Sequence, residues 1–191
     1  MSYLKTLRRT LLGVAASFAL SSIAVAQSTI LVVDQSRVIR ESSVGKHIAA
    51  QVESIGKSME SELKASATPI QSERDRLMNE LKSMDAAALK SRPDLQKRAQ
   101  DLMAKGQKTQ VEAAYKQREL QVTEAKAMKQ VNEKLAKILE AVVAERNADV
   151  ILDRSLVIYG GKSTDITDTV ISRLNSQMRT VSVVRERLPR Q

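Results

Sequence analysis

Apolar residues recur along the middle of the chain at intervals of three and four positions, the spacing of one face of an α-helix. A first stripe starts after about residue 44, and its members are Ile48, Val52, Ile55, Met59, Leu63, Ile70, Leu77, Leu81 and Met84. Charged residues fill the other faces. A stripe this narrow predicts a helix that packs against one other helix, because a helix buried all round is apolar on every face.

A second helix is predicted after a break between residues 85 and 93. Ser91, Pro93 and Asp94 favour a helix start there, with Ser91 as the cap and proline in the first turn. The helix is expected to reach about Asn147, with its seam formed by Leu95, Ala99, Leu102, Gly106, Ala113, Leu120, Ala127, Val131, Leu135, Ile138 and Val142. Two long helices with one short break predict an antiparallel hairpin, an arm of roughly 60 Å at 1.5 Å per residue.

The two ends of the chain predict a small β body at the base of this arm. Residues 29–33 form a β-branched run, and residues 150–159 hold two apolar runs around a polar corner, the pattern of a β-hairpin. Asp165 is expected to cap a short terminal helix, with Asp168 in its first turn. The fold class is therefore α+β and mostly helical, with a short N-terminal strand, a C-terminal hairpin and a coiled-coil arm.

The first 26 residues have the pattern of a cleavable signal peptide. Lys5, Arg8 and Arg9 precede an apolar run that ends in a small-x-small site at residues 24–26. The rival interpretation, a membrane anchor, needs about 18 or more apolar residues, and this run is shorter and broken by serines. We expect an exported protein cleaved after Ala26, by the general secretory route, although paired arginines also fit the twin-arginine route.

Composition narrows the chemistry available to the 191 residues. The chain has no cysteine and one histidine, His47, which excludes disulfide scaffolds, thiolate zinc sites and cysteine nucleophiles. We expect His47 to be a surface or boundary residue, and we expect no enzyme activity, cofactor or metal. Without residues 1–26 the net charge is +6, and Tyr115 and Tyr159 are the only aromatic residues. Since aromatic side chains carry much of the burial in compact cores, a conventional globule is not expected.

The ends of the expected mature chain carry a resemblance to a known family. The residues concerned are Ile30 to Asp34, Arg37, Val38, Glu41, Ser42, Gly45, Lys46, then Asp149 to Ser155, and Asp165, Ile166 and Thr167. Together with the leader and the charged helical middle, this layout resembles the Skp (OmpH) family of periplasmic chaperones. The resemblance implies a homotrimer whose strands form a shared body, with three helical tentacles around a cavity. It also implies a holdase that binds unfolded outer-membrane proteins without ATP.

The predicted organisation has five parts. Residues 1–26 are the leader, 27–42 and 148–175 form the body with its short helix, 43–147 form the tentacle, and 176–191 are a basic tail. A body of about 60 residues buries too little apolar area to be stable alone and leaves strand edges open. Self-association is therefore expected from physics, and closed symmetry is its usual form. The number three comes from the resemblance alone.

Five methionines lie in the predicted arm: Met59, Met78, Met84, Met103 and Met128. Methionine is flexible and polarizable, so on an exposed face it adapts to many partners, as a chaperone for unfolded chains requires. The alternative is that these residues only fill the seam between the helices.

The tip of the arm, residues 82–108, holds seven basic and three acidic residues. The basic residues are Lys82, Lys90, Arg92, Lys97, Arg98, Lys105 and Lys108. They are candidates to steer the protein toward acidic clients, lipopolysaccharide or an anionic membrane surface by an attraction that salt screens. An ordinary solvated surface is the alternative.

A hinge is predicted within the first long helix. Pro69 interrupts the pattern and should push Thr68 away from helical geometry, and Gly56 weakens the helix further up. The two residues indicate either an arm that flexes to fit clients or a static bend.

Two other function classes remain open. One is a structural or adaptor coiled coil that joins folded envelope components. The other is a basic binder of anionic lipid or nucleic acid. Nucleic acid is not expected, because aromatic stacking residues are lacking and acidic residues are interleaved along both helices.

Overall fold

The computed structural model describes residues 28–190, so the predicted signal peptide lies outside the described residues. The elements in chain order are β1 (Ile30–Val33), α1 (Gln35–Glu41), α2 (Ser43–Lys82), α3 (Ala86–Lys90), α4 (Pro93–Arg146), β2 (Val150–Asp153), a 3-10 turn (Arg154–Leu156) and α5 (Thr167–Gln177). The mostly helical α+β class is confirmed. The short helices α1 and α3 were not predicted from the sequence.

Helices α2 and α4 form the predicted antiparallel arm. Positions further along α2 contact positions nearer the start of α4, as in an antiparallel pair: Glu73 pairs with Arg98, whereas the earlier Glu62 pairs with the later Lys116. At 1.5 Å per residue, 40 and 54 residues give lengths of about 60 and 80 Å. Eight of the nine predicted stripe residues lie in α2, and the ninth, Met84, lies just beyond its end. All nine are buried or half-buried, which confirms that this face packs against α4.

The ends of the long helices are fixed by local hydrogen bonds. Ser42 caps α2 by accepting from the Gly45 amide at 3.1 Å. Helix α4 begins at Pro93 as predicted, but Ser91 is not its cap, because its hydroxyl donates to the Ala88 carbonyl at 2.9 Å. At the other end, Asn147 takes the left-handed conformation, with φ of 47°, which is typical of a helix C-terminus.

The body contains a two-stranded parallel sheet. β1 pairs with β2 from Ile30 opposite Val150 to Val33 opposite Asp153, and the arm is the helical crossover that joining parallel strands requires. On its other edge β1 pairs with residues 164–166, through the Val32 amide and carbonyl at 2.8 and 2.9 Å. β1 is therefore the central strand of the body.

The prediction of a C-terminal β-hairpin is wrong, because in the described residues β2 is not followed by a second strand before α5. After β2 the Asp153 carboxylate accepts from the Ser155 amide at 2.9 Å and from its hydroxyl at 2.5 Å, and this turn leads into the 3-10 segment. The second apolar run, expected as a strand, is exposed: Leu156 at 75%, Ile158 at 104% and Tyr159 at 88%. The chain reaches β1 again only at residue 164.

Apolar packing is concentrated at the two ends of the arm. The root core joins both long helices to the body, and its fully buried members are Val33, Val38, Val44, Val131, Val142, Val170 and Leu174. A second cluster near the tip contains Leu77, Leu95 and Leu102, with Ile70, Leu81, Met84 and Ala99 packed against it. Between these clusters lies the middle of the arm, where the buried residues are Met59, Lys116, Glu119 and Thr123, three of them polar.

Residues 178–190, here called the tail, fold back along the arm after α5. Val181 and Val183 pack against the root core. His47, predicted as a surface or boundary residue, is half-buried, with its Nε2 3.1 Å from the Val181 carbonyl oxygen. From there the tail continues in extended form toward the middle of the arm. The sequence predicted a basic tail but not this path.

Candidate functional site

Three polar side chains are buried in the middle of α4: Lys116, Glu119 and Thr123. They lie at three- and four-residue spacing in line with Ala127 and Val131, which are buried in the root core. On this face the predicted seam continued through Leu120 and Ala113, which are only half-buried. A row of polar groups on the inner stripe of a helix needs partners, and the tail supplies most of them.

Glu119 is the most buried charged group in the described part of the chain, with no exposed surface. Its carboxylate lies 3.0 Å from the guanidiniums of Arg185 and Arg190 and accepts from the Leu188 amide at 3.2 Å. Burial acts to raise the pKa of Glu119. The hydrogen bonds from Arg185 and Leu188 and the charges of both arginines outweigh burial, so that the pKa is lowered. Glu119 is therefore an ionised anchor for the tail.

Glu62 on α2 completes the site from the other helix. It pairs with buried Lys116 and accepts from Arg185 at 3.0 and 3.1 Å. The hydrogen bonds from Lys116 and then Arg185 lower the pKa of Glu62 from 4.5 to about 2. Arg185 thus bridges carboxylates on both long helices. The tail ties α2 to α4 in the middle of the arm, where most of the buried residues are polar.

Further contacts continue the tail along α4. The Glu186 amide donates to Thr123 Oγ1 at 2.9 Å, and its side chain pairs with Lys126 at 2.5 Å. Arg190 pairs with Glu112 at 2.8 Å, and its guanidinium carbon lies 4.7 Å from the centre of the Tyr115 ring. We call the surface that receives these residues the tail groove; it is formed by Glu62, Glu112, Tyr115, Lys116, Glu119 and Thr123. It binds residues 185–190 through ion pairs with Arg185 and Arg190 and through hydrogen bonds from the backbone amides of Glu186 and Leu188.

Sequence reasoning missed the tail groove, although two signals pointed to it. Lys116, Glu119 and Thr123 interrupt an apolar stripe at core spacing. Val181 and Val183 flank Ser182, a short alternation of apolar and polar residues of the kind that an extended chain shows. Neither signal identifies its partner, because the paired residues are 66 and 123 positions apart in the chain.

The five candidate methionines occupy different environments. Met59 is buried in the seam, while Met84 packs against the tip cluster and Met128 against the root core. Met78 and Met103 are 53% and 65% exposed, and together they line a cavity of about 220 Å³ between the helices near the tip. The structure brings these last two together across the arm. A client-binding role for the five methionines stays a prediction.

The seven basic residues of the tip divide into two groups. Arg98 pairs with Glu73 at 2.6 Å and with Glu80 at 2.9 Å, and Arg92 pairs with Glu80 and Asp94 at 3.0 and 2.8 Å. These arginines join the helices near the tip, and their charges are neutralised locally. The five lysines are all exposed: Lys82, Lys90, Lys97, Lys105 and Lys108. Any long-range steering therefore depends on the lysines.

The two hinge candidates lie inside a continuous helix. Pro69 does not end α2, and Thr68 remains helical, with its hydroxyl donating to the Lys64 carbonyl at 2.8 Å. The expectation that Thr68 would leave helical geometry is wrong. A Cβ atom on Gly56 would meet Leu120 Cδ2 at 3.5 Å, an ordinary contact distance. A hinge at these positions stays a prediction.

Residues 28–190 contain no cluster of three or more acidic or histidine side chains placed to hold a metal ion. In the same part of the chain, none of the helices has an apolar stretch of the length a bilayer crossing needs.

Both the sequence and the fold are similar to those of known proteins. The sequence profile of the family described as Outer membrane protein (OmpH-like) matches residues 29–174, from β1 through both arm helices into α5. The chain belongs to the OmpH-like family. The resemblance seen in the terminal residues is confirmed, and it extends through the arm. The tail lies beyond the matched residues.

Individual relatives of the OmpH-like family agree with this assignment. The chain is 24% identical over 151 residues to the Chaperone protein Skp of Pectobacterium atrosepticum. The aligned region covers 78% of this chain and 90% of the relative. It is also similar to a crystal structure from Caulobacter crescentus CB15 described as an OmpH-like outer membrane chaperone. That likeness has a TM-score of 0.73 and 28% identity, and covers 87% of this chain and 95% of the other.

Proposed function

We propose that this protein is a periplasmic holdase that binds unfolded outer-membrane proteins and prevents their aggregation without ATP. The observation that carries the proposal is the match to the OmpH-like family across both the body and the whole arm. Relatives described as chaperones share this architecture over most of their length. A predicted leader at residues 1–26 fits export to the periplasm.

The shape of the arm supports a holding function. It is a thin pair of helices with little apolar packing in its middle, so most of its surface is open to contact. Met78 and Met103 place flexible apolar groups on that surface near the tip. Methionine contacts are weak individually and adapt to different side chains, which suits a client without fixed structure.

The body supports self-association. Ile30 and Val150 are 45% and 43% exposed at the sheet, and Leu156, Ile158 and Tyr159 are almost fully exposed beside it. Clustered apolar residues of this kind mark an interface, and a two-stranded sheet is marginal by itself. The proposed assembly is a homotrimer, as the resemblance implies, in which a second and third copy cover these residues. The arms then surround the client.

The five exposed lysines of the tip are the proposed contact for negative charge. Their field favours approach of acidic clients, and the same field attracts lipopolysaccharide or an anionic membrane surface. Arg92 and Arg98 are excluded from this role because acidic neighbours hold them. No nucleic acid partner is proposed.

The proposal is tested by gel filtration of the mature protein with one outer-membrane β-barrel protein in two states, in buffer without nucleotide. The client is diluted from urea in the first sample and is already folded in detergent micelles in the second. A holdase co-elutes with the unfolded client alone. Co-elution with the folded form alone would instead indicate the adaptor function, and no co-elution with either would contradict the proposal.

A further inference from the structure

The root core and the tail groove together hold residues 181–190 as an extended peptide. Along this segment Val181, Val183 and Arg185 are partly buried, whereas Ser182 and Val184 between them are exposed. This period of two is the pattern of a strand that presents one side to a surface. Strands of outer-membrane β-barrels also alternate apolar with polar residues in segments of about ten. The tail resembles such strands in presenting alternate residues of its first half to one surface, although its sequence does not alternate strictly, since Val183 and Val184 are adjacent.

The chemistry of the groove is suited to a segment of this kind. Near the root, the valines of the tail pack on apolar residues and His47 contacts a tail carbonyl. In the middle, Glu62, Glu112 and Glu119 receive two arginines, while the Thr123 hydroxyl and the Glu119 carboxylate accept backbone amides. Binding through backbone amides is independent of sequence. The acidic groove thus selects extended segments that carry arginine.

We propose that the tail groove is a client-binding site and that the tail is its built-in occupant, which an extended arginine-bearing segment of an unfolded client displaces. This inference rests on the proposed holdase function and adds a site to it. A site filled by its own chain binds a competitor only in the fraction of molecules whose tail has left. Fixing the tail in place should therefore slow client capture, and loosening it should accelerate capture.

The chain offers a reversible way to fix the tail, because it contains no cysteine. The Glu186 amide nitrogen is 2.9 Å from Thr123 Oγ1, so the two Cα atoms lie within about 7 Å, close to the range that a disulfide spans. The variant T123C/E186C should form this bond within one chain on oxidation. Its reduced form is a control with the same sequence and helix content, which circular dichroism verifies.

A second variant loosens the tail. R185A/R190A removes the two arginines that pair with Glu119, of which Arg185 also pairs with Glu62 and Arg190 with Glu112. R187A removes one charge at the exposed Arg187 in the same segment. The measurement is stopped-flow association of a dye-labelled β-barrel outer-membrane protein diluted from urea, for each full-length mature variant. R187A reports the effect of removing one tail charge; twice its effect on the logarithm of the rate accounts for the two charges that R185A/R190A removes, and any further acceleration reports release of the groove.

We expect the oxidised T123C/E186C protein to bind the client at least about tenfold more slowly than the reduced form, and R185A/R190A to bind at least about threefold faster than R187A. Equal rates for oxidised and reduced protein, with both still binding, would overturn the groove as a client site and leave the holdase function intact. Disulfide-linked dimers in place of an internal bond would overturn the assignment of the groove to the protein's own tail. Failure of every form, wild type included, to bind the client would overturn both proposals.

Discussion

The Arg185 guanidinium lies 3.0 Å from the carboxylate of Glu119, 66 positions earlier in the chain. This contact crosses the junction between the tail and α4, and it buries Glu119 completely while Arg185 keeps 18% of its side chain exposed. An unpaired carboxylate at this degree of burial is costly. The middle of the arm therefore consists of α2, α4 and the tail, because the tail supplies the arginines that pair with the buried carboxylate of Glu119.

The first prediction concerns pH and Glu62. Its folded pKa of about 2 lies below the ordinary 4.5, owing first to Lys116 and then to Arg185. A lowered carboxyl pKa stabilises the fold above the unfolded value and loses this contribution as pH falls toward the folded value. E62Q should therefore destabilise the protein near neutral pH by up to about 1 kcal/mol, a modest value because Glu62 is nearly half exposed. The difference from wild type should shrink below about pH 4.5.

Urea unfolding followed by circular dichroism between neutral pH and about pH 3 measures this difference. E60Q is the matched control, because Glu60 is an exposed neighbour on the same helix. A destabilisation by E62Q that stays constant across the pH range would contradict the assigned ion pairs.

The second prediction concerns Gly45 at the junction of α1 and α2. A Cβ atom at this position would lie 1.7 Å from the Ile39 carbonyl oxygen, so any side chain forces the two helices apart. G45A should lower the free energy of unfolding by about 3 kcal/mol or more. G106A is the control, since a Cβ atom there meets nothing within 4 Å. It should stabilise α4 by about 0.5 to 1 kcal/mol.

Thermal unfolding of the two alanine variants beside wild type measures both effects. Opposite shifts in Tm are expected, downward for Gly45 and upward for Gly106. Similar shifts in the two variants would mean that the close approach at Gly45 does not constrain the fold.

Local pattern predicted the arm well because its stabilising contacts repeat with the helix period. The stripe from Ile48 to Met84 and the seam from Ala127 to Val142 follow directly from spacing. The prediction of a β-hairpin was wrong because local pattern does not determine the partner of a strand. The apolar run after Ser155 fits a strand by composition, but Asp153 turns the chain aside and leaves Ile158 exposed. A short apolar run does not reveal whether its partner lies in the same chain or in another copy.

The tail groove could not be assigned from pattern, since charge complementarity over long sequence separations has many solutions. Arg185 had many acidic residues available along the chain, and only the folded path of the tail selects Glu62 and Glu119. The tip shows the same limit. In the sequence, the seven basic residues of the tip look equivalent. In the structure, acidic side chains pair with Arg92 and Arg98, whereas the five lysines are exposed and their charges can act at a distance.

The third prediction concerns these lysines. K90Q/K97Q should slow association with an acidic unfolded client about twofold to fivefold at low salt, because it weakens the field at the tip. K129Q/K137Q is the control: it changes net charge equally, at exposed positions nearer the root. The rate difference should vanish as ionic strength rises beyond roughly 0.5 M, because salt then screens the attraction between charges more than a few ångströms apart. Equal rates for the two variants at low salt would rule out steering by the tip.

The fourth prediction concerns the exposed apolar residues of the body. I158D should weaken self-association at least about tenfold, because it would place a carboxylate in an apolar interface. V111D is the control, as Val111 is 55% exposed on the arm. Light scattering coupled to gel filtration measures the mass of each variant over a concentration series. Loss of assembly in V111D, or its retention in I158D, would place the interface elsewhere.

The fifth prediction concerns Pro69. Proline cannot donate to the preceding turn, so P69A should strengthen α2 locally, by up to roughly 3 kcal/mol. Amide exchange of residues 64–68 should slow by about tenfold or more if this segment opens as a hinge. G56A, which adds an ordinary contact with Leu120, is not expected to alter exchange at residues 64–68. Unchanged exchange in P69A would remove the hinge and leave a static helix.

The most direct measurement of holdase activity is light scattering from an outer-membrane β-barrel protein diluted out of urea, with and without the mature chain, in buffer free of nucleotide. Scattering should stay near the buffer level once the assembled chaperone matches the client in concentration, and added ATP should change nothing. Aggregation at the same rate and extent with and without the protein would contradict its function as a chaperone.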